Sequence, residues 1–229
     1  MRLHGFDTET PMGELRVLAT EQEYAEVETI EDVLDFITQR KYGASKFFLF
    51  NLSYDVNHIL KLTHDRELLT DLYQCKGVKY KDVTLKYINR KLFRVCKNGH
   101  CVTFLDIATF YKGMKLDVAA KKYFGVGKDP VDAQKVGEEP GYYEDHKTEV
   151  LEYCQKDAEL TLKLAVRMKE LIEATKMPKG NLSFKNPISS AKIAEKYVLD
   201  NFKYPLIPTG KVTTFHNLAH RAYHGGLFE

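Results

Sequence analysis

What the sequence lacks narrows its class before any motif is read. No apolar run approaches the ~20 residues needed to span a bilayer; the longest candidate is Phe47-Phe48-Leu49-Phe50. The start, Met1 to Asp7, meets an acidic residue before a signal core could form, so no secretory peptide is expected and the chain reads as intracellular. Only four cysteines are present, with neither a CxxC pair nor zinc-ligand spacing. Cys75, Cys96, Cys101 and Cys154 are therefore expected to be thiols. Cys96 and Cys101 bracket Asn98-Gly99, the strongest two-residue hairpin signal, so a cross-strand disulfide is geometrically conceivable there. No internal repeat or low-complexity tract occurs. With 44% hydrophobic and 29% charged residues, disorder and fibrous architectures are unsupported, and 229 residues suffice for a sizeable core without staples.

Net charge is only +2, but it is unevenly spread. Residues 76–97 carry Lys76, Lys79, Lys81, Lys86, Arg90, Lys91, Arg94 and Lys97 against Asp82 alone. Tyr80, Val83, Leu85, Tyr87, Leu92, Phe93 and Val95 alternate among these cations in the manner of strands. Such a segment can track a phosphate backbone, or it can be an exposed sheet edge guarded by lysines. The sequence leaves both readings open.

The pattern along the chain is α/β. Strands are predicted at Leu3 to Glu9, Leu15 to Ala19 and Tyr24 to Glu28. A helix opens at Thr29 or Glu31 and stops before Tyr42-Gly43. Lys46 to Leu52 reads as a buried strand, with Ser53 as the N-cap of a helix from Tyr54 to Leu62. Val102 to Ile107 reads as a return strand, Leu116 to Phe124 as a short helix, and residues 125–141 as a long polar loop of the functional, lid-like kind. A long helix is expected from Glu144 to Ala174, then helices near Ser189 to Phe202 and Thr213 to Tyr223.

Three acidic patterns carry chemistry. Asp7-Thr8-Glu9 lies on a strand, where residues two apart project from one face. The other two Asp-x-Glu triplets, starting at Asp65 and Asp157, lie on predicted helices, where the pair diverges. Asn51-x-x-x-Asp55 falls at a strand-to-helix junction, where open sheets collect ligands, although an acid at a helix start is also stabilising without one. Tyr153 and Asp157 are four apart on the long helix and so share a face; a partly buried Tyr beside a solvent-facing Asp is the plainer alternative.

Taken together, the order and setting of these patterns resemble the DEDD exonucleases, with Tyr153 marking the tyrosine subclass. More closely, Phe6 to Thr10, Phe50 to Asp55 and Tyr153 to Asp157 resemble the proofreading motifs of family B DNA polymerases of the protein-primed phage and plasmid type. Arg221-Ala222-Tyr223-His224-Gly225-Gly226 is similar to the Tyr-x-Gly-Gly motif that joins their exonuclease and polymerase domains. The resemblance implies a ribonuclease-H-like mixed sheet flanked by helices, with a mainly helical C-terminal extension. Residues 1–175 would be a 3′–5′ exonuclease domain and 176–229 a connecting segment. It also implies Asp7, Glu9, Asp55 and Asp157 as ligands of two Mg²⁺ or Mn²⁺, Tyr153 as orienter of the attacking water, and Lys128 as a catalytic lysine. Thr10, Asn51 and Tyr54 would hold a single-stranded DNA 3′ end, and Tyr223, Gly225 and Gly226 would contact DNA. The palm aspartates of such polymerases follow the Tyr-x-Gly-Gly segment, so no nucleotide addition is expected from this chain, and a polymerase domain or subunit is an expected partner. A non-catalytic DNA-binding module of a split polymerase, or a nuclease of the same sheet class acting on RNA or internal bonds, are the competing functions.

Overall fold

Short apolar runs separated by tight turns fold into one eight-stranded mixed sheet with helices on both faces. The structure is a computed structural model and describes residues 2–74, 77–127, 131, 133–177, 180–181 and 190–201. Strands β1 (Leu3–Glu9), β2 (Val17–Thr20) and β3 (Tyr24–Glu26) form an antiparallel meander. Helix α1 (Ile30–Ile37) leads to β4 (Lys46–Leu49), which lies parallel to β1, and α2 (Leu52–Lys61) and α3 (Arg66–Tyr73) follow. Strands β5 (Gly77–Tyr80), β6 (Val83–Ile88), β7 (Leu92–Lys97) and β8 (His100–Asp106) return as antiparallel hairpins until β8 closes parallel on β4. The spatial order is β3-β2-β1-β4-β8-β7-β6-β5. Its first five strands have the ribonuclease-H-like arrangement: a meander, then two parallel strands.

Period-2 side-chain alternation divides the core. Phe6, Phe47, Phe93 and Phe104 point to one face and pack under α1, α2 and α3. Phe48, Leu92 and Leu105 point to the other, under α4 (Leu116–Phe124) and α7 (Lys147–Ala174). Helices α5 (Ala133–Glu138) and α6 (Tyr142–Asp145) bring Val136 and Tyr143 onto Val17 and Ala19 of β2 and onto α7. Strands β9 (Lys176–Met177) and β10 (Gly180–Asn181) pair with each other, and α8 (Ser190–Asn201) rests Ile193 and Tyr197 on the α4–α7 core.

Several local expectations need correction. Ser53 does not cap α2. The N-cap position is Asn51, and Ser53 donates to the Asn51 side chain instead. The lid-like loop contains α5, a short helix fixed by one buried residue, Val136. Asn98 and Gly99 both take positive φ, as a type I′ hairpin turn requires, but Cys96 and Cys101 are joined as a disulfide rather than being free thiols. Their direct register on β7 and β8 is what brings the sulfurs together. Among the described residues Cys154 is the free, buried thiol, and no helix is long and apolar enough to cross a membrane. The helix expected near Thr213 to Tyr223, with Tyr223, Gly225 and Gly226, lies outside the described residues, as does Lys128.

Gly5 of β1 sets how closely α7 lies on the sheet. A Cβ at this position would sit 1.7 Å from the Ala158 carbonyl oxygen and 3.0 Å from the Leu162 nitrogen. Only glycine fits, because the obstacle is helix backbone. Gly5→Ala is expected to lower stability by about 2–3 kcal/mol or more, read from the urea midpoint, because α7 must shift outward. The short loop closed by Cys96 and Cys101 contributes less to the fold as a whole. From chain entropy, reduction should cost about 2 kcal/mol, read as a lower urea midpoint in dithiothreitol that the Cys96→Ser variant does not show.

Candidate active site

Three elements meet at the carboxyl end of β1. Asp7 and Glu9 project from β1 toward α7, since Gly5, Asp7 and Glu9 share one face of the strand. Tyr153 and Asp157, one turn apart on α7, look back at them, and both are buried, Asp157 to 1% exposure. Asp55 approaches from the first turn of α2, 4% exposed, where Thr8 Oγ1 of β1 donates to its Oδ1 at 2.7 Å. That bond lies on the α2 side of the sheet, because Thr8 points to the face opposite Asp7. All four carboxylates, with Thr10, Asn51, Tyr54 and Tyr153, line one open cleft of about 220 Å³. Val136 and Gly137 of α5 form its outer wall.

Tyr54 is 48% exposed at the mouth, its hydroxyl 2.7 Å from Thr10 Oγ1 and its ring against His58. A second hollow of about 540 Å³ shares Asp7, Phe50 and Asn51 with the cleft and continues along Gly113, Met114 and Lys115. The site is thus the end of a groove and not an isolated pit. Phe50 stood in the sequence only as the first residue of the Phe50 to Asp55 motif, and Lys115 was not singled out, since only its place at a helix start could have marked it.

The strand-to-helix junction is held by a residue that sequence reading missed. Asp106, at the end of β8, accepts N–H bonds from Leu52 at 3.2 Å and Ala108 at 2.8 Å, and also from Asn51. Its carboxylate does from the neighbouring strand what an N-cap side chain does locally. Asn51 takes φ 91°, a left-handed conformation that Asn tolerates better than most residues, and this turn aims α2 so that Asp55 falls beside β1. Burial pushes the Asp106 carboxyl above its ordinary range, although the three N–H donors pull the other way.

The chemistry of the donor set suits hard cations. Asp7 and Glu9 place carboxylate oxygens within 4.8 Å of each other and of Cys154 Sγ. The Cys154 thiol is pushed well up, first by burial and then by the negative charge of Asp7, Glu9, Asp157 and Asp55. A soft thiol is a poor ligand for a hard ion, so the oxygens are the donors such an ion would take. These residues can hold divalent metal of the Mg²⁺ or Mn²⁺ type.

Asp106→Ala leaves buried N–H groups of Asn51, Leu52 and Ala108 without their acceptor. A stability loss of about 1–3 kcal/mol is expected in urea unfolding, with loss of Mn²⁺ affinity through the displaced Asp55.

No family model matches the chain, and no curated protein does. Among solved structures, it is similar to Phi29 DNA polymerase complexed with single-stranded DNA, with 13% identity and a TM-score of 0.54 over 92% of this chain and 36% of that one. It is likewise similar to Phi29 DNA polymerase complexed with primer-template DNA in a post-translocation binary complex, with 12% identity and a TM-score of 0.52 over 86% of this chain and 34% of that one. The chain spans about a third of the length of these polymerases. At this identity the likeness is one of fold: the mixed sheet with its flanking helices is shared with part of a DNA polymerase.

Proposed function

We propose that this chain is a metal-dependent 3′–5′ exonuclease that removes deoxynucleoside monophosphates from single-stranded or frayed DNA ends. The observation that carries the reading is the convergence of Asp7, Glu9, Asp55 and Asp157, from three separate elements, on one cleft beside Tyr153. Four carboxylates at such range repel and would raise one another's pKa unless cations neutralise them. Two divalent ions, when bound, supply that neutralisation, activate water on one side of the phosphodiester and stabilise the leaving 3′ oxygen on the other.

The chain's own residues do the rest. Asp7, Glu9 and Asp157 would hold one ion, and Asp7 with Asp55 would hold the other. The Tyr153 hydroxyl orients the incoming water for in-line attack, and Lys128 offsets charge growing on the phosphate. Tyr54 and Phe50 offer faces to the terminal bases, while Thr10 and Asn51 hydrogen-bond the strand end. The groove past Lys115 gives the preceding nucleotides a path. The domain division at residue 175 and the proofreading partnership with a polymerase domain belong to the same proposal, supported by the likeness to part of a polymerase.

Labelled single-stranded DNA with Mg²⁺ tests it. Stepwise shortening from the 3′ end is expected, with none by Asp7→Ala or Asp157→Ala, which should still bind the strand in Ca²⁺ within about tenfold of wild type. Tyr153→Phe should slow the reaction by about a hundredfold or less, since it disturbs only positioning. Binding without cleavage by the wild type would make the chain a delivery module instead, and internal cuts would make it a different nuclease.

A further inference from the structure

A second charged feature lies on the α4–α7 side of the sheet, away from the cleft. Register sets Lys86 of β6 opposite Arg94 of β7, Arg94 opposite Thr103 of β8, and Thr103 opposite Lys46 of β4. One pleat along, Lys79 of β5 faces Thr84 of β6. These side chains share the face that carries Ile88, Leu92, Leu105 and Phe48. Helices α4 and α7 cover the apolar part of that face, but Lys79, Thr84, Lys86 and Arg94 remain exposed.

The cations there are not balanced. Among the described residues no acid pairs with Lys79, Lys86 or Arg94, whereas Glu31 holds Lys81, and Asp35 and Asp82 hold Lys97. Arg94 Nε donates to Thr103 Oγ1 at 3.2 Å, which keeps the guanidinium over β8. The half-buried Lys46 ammonium is pushed below its ordinary range, by burial first and then by Arg94. Guarding of a sheet edge does not account for the row, because of the strands that carry these cations only β5 lies at an edge, while Lys86 and Arg94 stand on interior strands.

We propose that this face docks the phosphate backbone of duplex DNA. From Lys79 to Arg94 the exposed cations cross two strand spacings, about 10 Å, a span that takes in neighbouring phosphates of one strand of a duplex. The strand aromatics Tyr80, Tyr87 and Phe93 all pack with the opposite, α1–α3 core, so no described strand aromatic offers bases a stacking platform on this face. Cations with the Thr84 hydroxyl and no ring suit a backbone whose bases are already paired. The surface does not depend on what the cleft cuts.

The test is binding of a labelled duplex of about 20 base pairs in Ca²⁺ across a salt series. The variant Lys79→Ala/Lys86→Ala/Arg94→Ala is compared with Arg66→Ala/Lys163→Ala/Lys169→Ala, which removes as much charge elsewhere. The first should weaken binding at least about tenfold and flatten the slope of log K against log salt by about 2–3, at roughly 0.9 per lost contact. The second should lose less than about threefold. Equal losses, no loss, no duplex binding by the wild type, or a larger loss on a single strand of the same length would each overturn the proposal. Degradation of a single-stranded hexanucleotide, too short to span both surfaces, reads the cleft separately. If no protein degrades it, the exonuclease reading fails while the duplex comparison still decides this one.

Discussion

The close approach of α7 to β1 at Gly5 is the constraint on which the site depends. Helix backbone lies where a Cβ would have to be, and Asp157 and Tyr153 are carried to within reach of Asp7 and Glu9 as a result. Val150, Cys154 and Ala158 on the β2 side, with Leu160, Leu164 and Ala165 on the β8 side, fix the helix in rotation. Buried apolar area of this kind stabilises the arrangement by roughly 25 cal/mol per Å² and offsets the repulsion of acids held together. A site of like charges can persist only on a scaffold whose packing is indifferent to that charge.

A second fixed point stands across the sheet edge. Asp106 receives the N–H groups of the β4–α2 turn and so holds the left-handed Asn51 and the start of α2. Thr8 then joins Asp55 to β1. The three contributing elements are thus tied pairwise to one strand, α7 through Gly5 and α2 through Thr8. The buried Cys154 lies behind Asp7 and Glu9, its thiol pushed up first by burial and then by their charge.

Much of this was legible in the sequence. Strand context singled out Asp7 and Glu9 from two helical triplets of the same form, and the Asn98-Gly99 hairpin and the Leu116–Phe124 helix stand where local signals put them. Two of the misses share a cause, since each depends on residues distant along the chain. Ser53 looks like a cap because its true competitor, Asp106, is 54 positions away from Leu52. The 125–141 segment is polar enough to read as loop, yet it carries the helix α5, whose Val136 is buried against β2 and α7. The cysteine pair was visible as a geometry, and its oxidation was discounted on compartment. For the basic strands the sequence left an edge guard and a phosphate track both open, and the strand order puts Lys86 and Arg94 in the interior of the sheet.

The most direct measurement is anomalous diffraction from crystals soaked in Mn²⁺. The account predicts two peaks in the cleft, one against Asp7, Glu9 and Asp157 and one against Asp7 and Asp55, with ion separation of about 3.5–4 Å. Carboxylates turned apart, with no manganese between them at saturating concentration, would contradict it.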